Sequence, residues 1–216
     1  VDALAANPSG YVFAGTAIGV FRSTDNGGIW AQMNLGATNP SIFSLAVSPS
    51  GVVFAGTGGS GVFRSTDNGS SWTQVNTGLT GTTVRSLAIN ATGIVFAGTD
   101  GSGVFRSTDN GASWIQVSSG FSTLTVWSLA VNASGHVFAG TNGSGAFRST
   151  DNGSSWISIN TGLANSVVRA LAINAAGSIF AGTDDRVFRS NDNGSTRAAT
   201  YSGLPWNMVW SLAINT

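Results

Sequence analysis

Nine aspartates, nine arginines and a single histidine carry whatever charge-based chemistry this chain of 216 residues can do, because glutamate, lysine and cysteine are absent. Without cysteine there is neither a disulfide framework nor a thiol nucleophile. Five of the nine aspartates, Asp25, Asp67, Asp109, Asp151 and Asp192, recur inside one short string. It reads STDNGGIW from Ser23, STDNGSSW from Ser65, STDNGASW from Ser107, STDNGSSW from Ser149 and SNDNGSTR from Ser190. In such a string the Asp carboxylate accepts hydrogen bonds from the backbone N–H groups just ahead of it, and Asn-Gly supplies the positive φ angles of a tight hairpin. Trp30, Trp72, Trp114 and Trp156 then clamp four of the five corners. These acids are structural, which leaves Asp2, Asp100, Asp184 and Asp185 for proton transfer. Two-carboxylate catalysis needs a facing pair, yet Asp184 and Asp185 are adjacent and point opposite ways on an extended strand.

Metal and cofactor chemistry find no better footing. His136 stands alone, in a slot that the other repeats fill with Tyr11, Val52, Ile94 and Ser178, so a zinc set is missing and the residue reads as a surface variant. The D-N-G string lacks the alternating ligands and bidentate Glu of a calcium loop. Gly56 to Gly61 spells G-x-G-x-x-G, but no helix follows to hold a phosphate. No cofactor and no metal are expected.

Variation within a repeat is where binding chemistry is to be sought. The residue before the S-L-A string changes from copy to copy: Asp2, Phe43, Arg85, Trp127, Arg169 and Trp210. Trp faces can stack on sugar rings and Arg forks can hold a carboxylate; alternatively these side chains plug a central channel or stack on one another. The loops AIG, GGSG, DGSG, NGSG and DDR place Asp100, Asn142, Asp184 and Asp185 on the same face, as acceptors for sugar hydroxyls or as servants of glycine turns. The candidate ligand-binding set is therefore Phe43, Arg85, Trp127, Arg169, Trp210, Asp100, Asn142 and Asp184. Arg22, Arg64, Arg106, Arg148 and Arg189 recur once per repeat and argue for scaffolding.

The elements that position these residues follow from a period of 42. Phe13, Phe54, Phe96, Phe138 and Phe180 mark the FAGT strings almost that far apart. Each unit holds four strand-like pieces, in one copy VRSLAIN (84–90), IVFAGT (94–99), VFRS (104–107) and a fourth over 113–118, separated by glycine turns. Gly, Asn and β-branched residues recur too often for helices. A four-stranded repeat of this length predicts an all-β, five-bladed β-propeller in a single domain, with units 1–41, 42–83, 84–125, 126–167 and 168–208. The first-strand motif occurs once too often: VDALAANP at 1–8 and VWSLAINT at 209–216 claim one slot. The C-terminal copy, with Trp210 and Ile214, buries the more apolar area and is expected to close the ring or to be exchanged with a second molecule.

The pattern S-x-D-x-G-x-x-W resembles the Asp-box of bacterial sialidases, also called the BNR repeat, and of related β-propellers, where it joins the third and fourth strands of a blade. Four copies match in full and the fifth has Arg197 in the Trp place. The resemblance implies a propeller scaffold shared by enzymes, receptors, assembly factors and lectins, so function has to come from the site. Sialidases need three converging arginines and a Tyr/Glu nucleophile pair; this chain has no Glu, and Tyr11 and Tyr201 lie in unrelated positions. The expectation is a non-catalytic, multivalent binding module that recognises a glycan or protein partner. The alternatives are a glycosidase of sialidase or xyloglucanase type and a structural tile that self-associates through its surplus strand.

A formal net charge of zero, with 8% charged residues, gives no footprint for nucleic acid or an anionic membrane. No apolar run reaches membrane-spanning length and no signal segment opens the chain. The lysine-free, Ser/Thr/Asn-rich bias resembles secreted bacterial repeat proteins, so an extracellular or cell-surface location is expected.

Overall fold

The computed structural model describes residues 1–36, 40–200 and 207–214. Every regular element among them is a β-strand, and the strands form five antiparallel four-stranded sheets, each a blade of strands in chain order. The first blade holds β1 (Ala3–Ala6), β2 (Val12–Thr16), β3 (Gly19–Ser23) and β4 (Ala31–Gln32). The second holds β5 (Ile42–Val47), β6 (Val53–Thr57), β7 (Val62–Ser65) and β8 (Thr73–Gln74). Then come β9 (Val84–Ile89), β10 (Val95–Thr99), β11 (Val104–Ser107) and β12 (Ile115–Gln116). The fourth blade is β13 (Val126–Val131), β14 (Val137–Thr141), β15 (Ala146–Ser149) and β16 (Ile157–Ser158); the fifth is β17 (Val168–Ile173), β18 (Ile179–Thr183), β19 (Val187–Ser190) and β20 (Ala198–Ala199). Two compact units contain them, Val1–Asp100 with Phe105–Gln116, and Gly101–Val104 with Val117–Thr216.

The V-F-A-G-T strands are apolar on both faces because both faces are covered. All five residues of β6, of β10 and of β14 are buried. The core accordingly lies between successive sheets, as where Phe54, Val75, Val84, Val95, Phe105 and Trp114 pack together across the second and third blades. Phe138, Ile159, Val168, Ile179 and Phe188 do the same across the fourth and fifth.

Two expectations are corrected. The fourth strand, expected over 113–118, is the pair Ile115–Gln116, because the residues before it are held in the hairpin corner. The first-strand slot of the first blade is held by β1, paired with β2 from Ala3 opposite Gly15 to Ala6 opposite Val12. Residues 209–214 form no strand; the Val209 N–H donates to the Thr183 carbonyl at 2.9 Å and Val209 packs on Gly182. Trp210 stays 62% exposed, since its ring lies over a guanidinium and not in the core.

Candidate ligand-binding face

At one end of each blade sits the repeated corner. Asn26, Asn68, Asn110, Asn152 and Asn193 have φ between 55° and 58°, and the glycine after each is also at positive φ. That left-handed pair is accessible to Asn and Gly and strained for most other residues. In the third blade the Ser107 hydroxyl donates to Asp109 at 2.7 Å and accepts the Gly111 N–H, while Asp109 accepts the Ser113 N–H at 2.9 Å and the Ser113 hydroxyl at 2.6 Å. Hydrogen bonds to the ionised form lower a carboxyl pKa. Asp67, Asp109, Asp151 and Asp192 are brought to about 2, first by the hydroxyls of Ser71, Ser113, Ser155 and Thr196, then by the backbone N–H of the same residues. Asp25, facing Ile29 where the others face a hydroxyl, is lowered mainly by the Ile29 backbone N–H. A carboxylate so held is a poor proton donor near neutral pH.

The clamp takes two forms. Trp30 and Trp72 donate their indole N–H to the glycine carbonyl of their own corner, Gly27 and Gly69. Trp114 and Trp156 instead reach the Val75 and Val117 carbonyls just past the preceding strand four, at 2.8 and 2.7 Å, and are buried. Arg197 replaces the fifth Trp by making the same long-range bond, its Nη1 donating to the Ile159 carbonyl. Burial pushes the Arg197 guanidinium down to about 10 against the attraction of Asp192, and its Nε and Nη2 are buried without hydrogen-bond partners.

The opposite end of each blade carries the variable residues. The strand-one register slips beside Phe43, Trp127 and Arg169, and the β9/β10 ladder slips at Gly98/Thr99 next to Arg85. Bulges of this kind re-aim a side chain. Each re-aimed residue meets the loop residue fifteen positions later in two blades: Arg85 Nε donates to Asp100 at 2.9 Å, and Arg169 Nε donates to Asp184. In the second blade the same place holds Gly58, where any Cβ would fall 2.8 Å from the Phe43 ring. Asn142 is exposed, with its backbone N–H given to the Thr125 carbonyl.

These side chains also stack. The Arg85 guanidinium lies 5.5 Å from the Phe43 ring. In the other unit Arg169 sits between two indoles, 4.9 Å from Trp127 and 4.3 Å from Trp210. The structure thus joins Phe43, Arg85 and Asp100 into one group and Trp127, Arg169, Trp210 and Asp184 into another. Asp185 pairs with Arg186 at 3.0 Å. Sequence reading missed the Arg–Asp pairing, although the signal was there: two variable positions at constant spacing change together. His136, expected at the surface, is half-buried with its Nδ1 shielded from solvent. Among the described residues no three His, Cys, Asp or Glu converge as a metal site would require, and no helix is long and apolar enough to cross a membrane.

No protein-family model matches the chain, and no curated protein does. Solved structures do. An ancestral GH74 enzyme is 23% identical over 96% of this chain and 32% of its own, with a TM-score of 0.78. The extracellular domain of a hybrid two component system from B. thetaiotaomicron is 19% identical over 95% of this chain and 29% of its own, at 0.80. YCF48 bound to D1 peptide is 18% identical over 93% of this chain and 66% of its own, at 0.68. The chain spans about a third of the first two. The shared architecture makes this an all-β protein of propeller type with five four-stranded blades.

Proposed function

We propose that this chain is a non-catalytic binding module, an Asp-box repeat propeller that recognises a glycan or protein partner on the face carrying its variable residues. The observation that carries the reading is the stack of Trp127, Arg169 and Trp210, with Asp184 on its edge and Trp210 largely exposed. A flat indole beside a paired cation and carboxylate offers an apolar face and oriented polar groups together, which is what a sugar ring needs. The corner strings and their hydrogen bonds support the Asp-box assignment. An extracellular setting is supported by the two component extracellular domain among the similar structures.

A hydrolase is the second reading, favoured by likeness to a GH74 enzyme. Against it, Asp100, Asp184 and Asp185 are each engaged by an arginine, whereas glycoside hydrolysis needs two carboxyl groups facing one bond. A glycan array together with a chromogenic glycoside panel separates the two. The expected result is array binding that Trp210→Ala abolishes with the melting temperature unchanged, and no turnover. Turnover that Asp184→Asn removes would overturn the binding-module reading.

A further inference from the structure

Asparagine is chemically labile where the backbone nitrogen that follows it can reach its side chain, and a following glycine puts no Cβ in the way. Six Asn-Gly pairs stand in the chain. Five are the corners, Asn26-Gly27, Asn68-Gly69, Asn110-Gly111, Asn152-Gly153 and Asn193-Gly194, and the sixth is Asn142-Gly143, in the loop between β14 and β15.

In every corner the nitrogen that would attack is held. The N–H of Gly27, Gly69, Gly111, Gly153 and Gly194 donates to the hydroxyl of the corner serine at 2.7 to 2.8 Å. Gly27 is half-buried and the other four glycines are buried. A Cβ on Gly69 would fall 2.8 Å from the Phe13 ring, one on Gly111 3.0 Å from the Phe54 ring and one on Gly194 2.6 Å from the Ile159 side chain, so these corners have little room to change shape. The asparagines are fixed in the left-handed region, and Asn68 Oδ1 also accepts the Asn7 amide at 2.7 Å.

Asn142-Gly143 differs on each count. Both residues are exposed, and Asn142 pairs with Val167 in an isolated extended bridge. Among the described residues none but its chain neighbours comes within 4 Å of where a Gly143 Cβ would stand. The Gly143 N–H donates at 3.1 Å to the carbonyl of exposed Ser166, an acceptor that the Gly145 N–H takes more closely, at 2.6 Å. Backbone bonds so exposed open locally far more often than those of a buried corner.

We propose that Asn142 is a site of covalent modification, by spontaneous deamidation. The Gly143 nitrogen gives its proton to water and bonds to Asn142 Cγ; the Cγ–Nδ2 bond breaks, and the amide nitrogen takes a proton from water and leaves as ammonia. One water then opens the cyclic imide. Cleavage at Cγ leaves aspartate, and cleavage at the backbone carbonyl leaves isoaspartate. The sum is amide plus water giving carboxylic acid plus ammonia, with nothing oxidised or reduced. The new acid stands fifteen residues after Trp127, as Asp100 does after Arg85 and Asp184 after Arg169. The modified chain therefore carries one more carboxylate on its variable face, and its formal net charge falls below zero. The modification stands whether or not that face binds a ligand.

Incubation of the folded chain at mildly alkaline pH, followed by isoelectric focusing and by fragment-ion mass spectrometry of its peptides, tests this. An acidic band is expected to grow with time and to migrate with Asn142→Asp, as aspartate and isoaspartate accumulate at 142 at least about tenfold faster than at any corner asparagine. The chain in denaturant, where all six pairs are released, supplies the reference rate, and there the six react alike. Asn142→Gln, a change at an exposed side chain, removes the fast band, because the longer side chain closes its ring far more slowly. A corner asparagine that reacts as fast as Asn142 in the folded chain, an Asn142 that stays intact when folded while it reacts in denaturant, or an acidic band that grows at the same rate in Asn142→Gln would each overturn the proposal.

Discussion

The two ends of each blade use aspartate in opposite ways. At the corner the carboxylate is tied to hydroxyl and backbone donors within four residues, and the arrangement is the same five times over. At the bulged end the carboxylate is tied to a guanidinium fifteen residues away, in two of the blades. The first kind of contact must recur because each blade needs its own hairpin. The second can change in one blade without disturbing the next. Repetition therefore marks the scaffold, and variation marks the face proposed here to bind a ligand.

Acid should break the comparison most visibly, since it acts on all the corners together. Their native pKa values lie below the ordinary 3.8, four of them at about 2. The stability they contribute is thus complete above about pH 4 and lost as the pH falls toward about 2. Thermal melts are expected to be flat from neutral pH to about pH 5 and to fall steeply below pH 4. Melting that is independent of pH down to 2 would remove the structural role assigned to these acids.

A smaller effect, of opposite sign, comes from repairing the fifth corner. Arg197→Trp exchanges a buried guanidinium with two unpartnered nitrogens for an indole that makes the bond Trp114 and Trp156 make to the carbonyl just past the preceding strand four. It is expected to stabilise by about 1–2 kcal/mol, read as a rise in melting temperature of roughly 2–4 °C per kcal/mol. The smallest change sharpens the contrast from the other end. Arg85 and Asp100 form a solvent-accessible pair, so Arg85→Ala should cost less than about 1 kcal/mol in chemical denaturation while removing ligand binding. A cost of several kcal/mol would make Arg85 part of the scaffold.

Most of the fold was legible because its signals are local. The Asn-Gly pairs announced the positive φ angles, and the V-F-A-G-T runs announced strands covered on both faces. The short fourth strands were less legible, since the residues that end the corner also look like strand formers. The first-strand slot was misjudged from apolar area alone: Trp210 is large, but a neighbouring cation holds its ring on the surface. Of the candidate site, the variable positions were readable but their partners were not. Nothing in the local sequence around Arg169 says that Trp127, Trp210 and Asp184 will gather about it.

By itself the sequence determined five hairpin corners of one kind, the strands between them and the assignment of five aspartates to architecture, because every contact involved closes within a few residues of chain. Only the tertiary structure decided that Trp114 and Trp156 fasten to the preceding blade while Trp30 and Trp72 fasten to their own corners, that Arg197 can stand in for tryptophan, and that the variable arginines are held by aspartates and aromatic rings. Most of those contacts span fifteen to forty-two residues, and at that distance the packing of one sheet on the next chooses the partner.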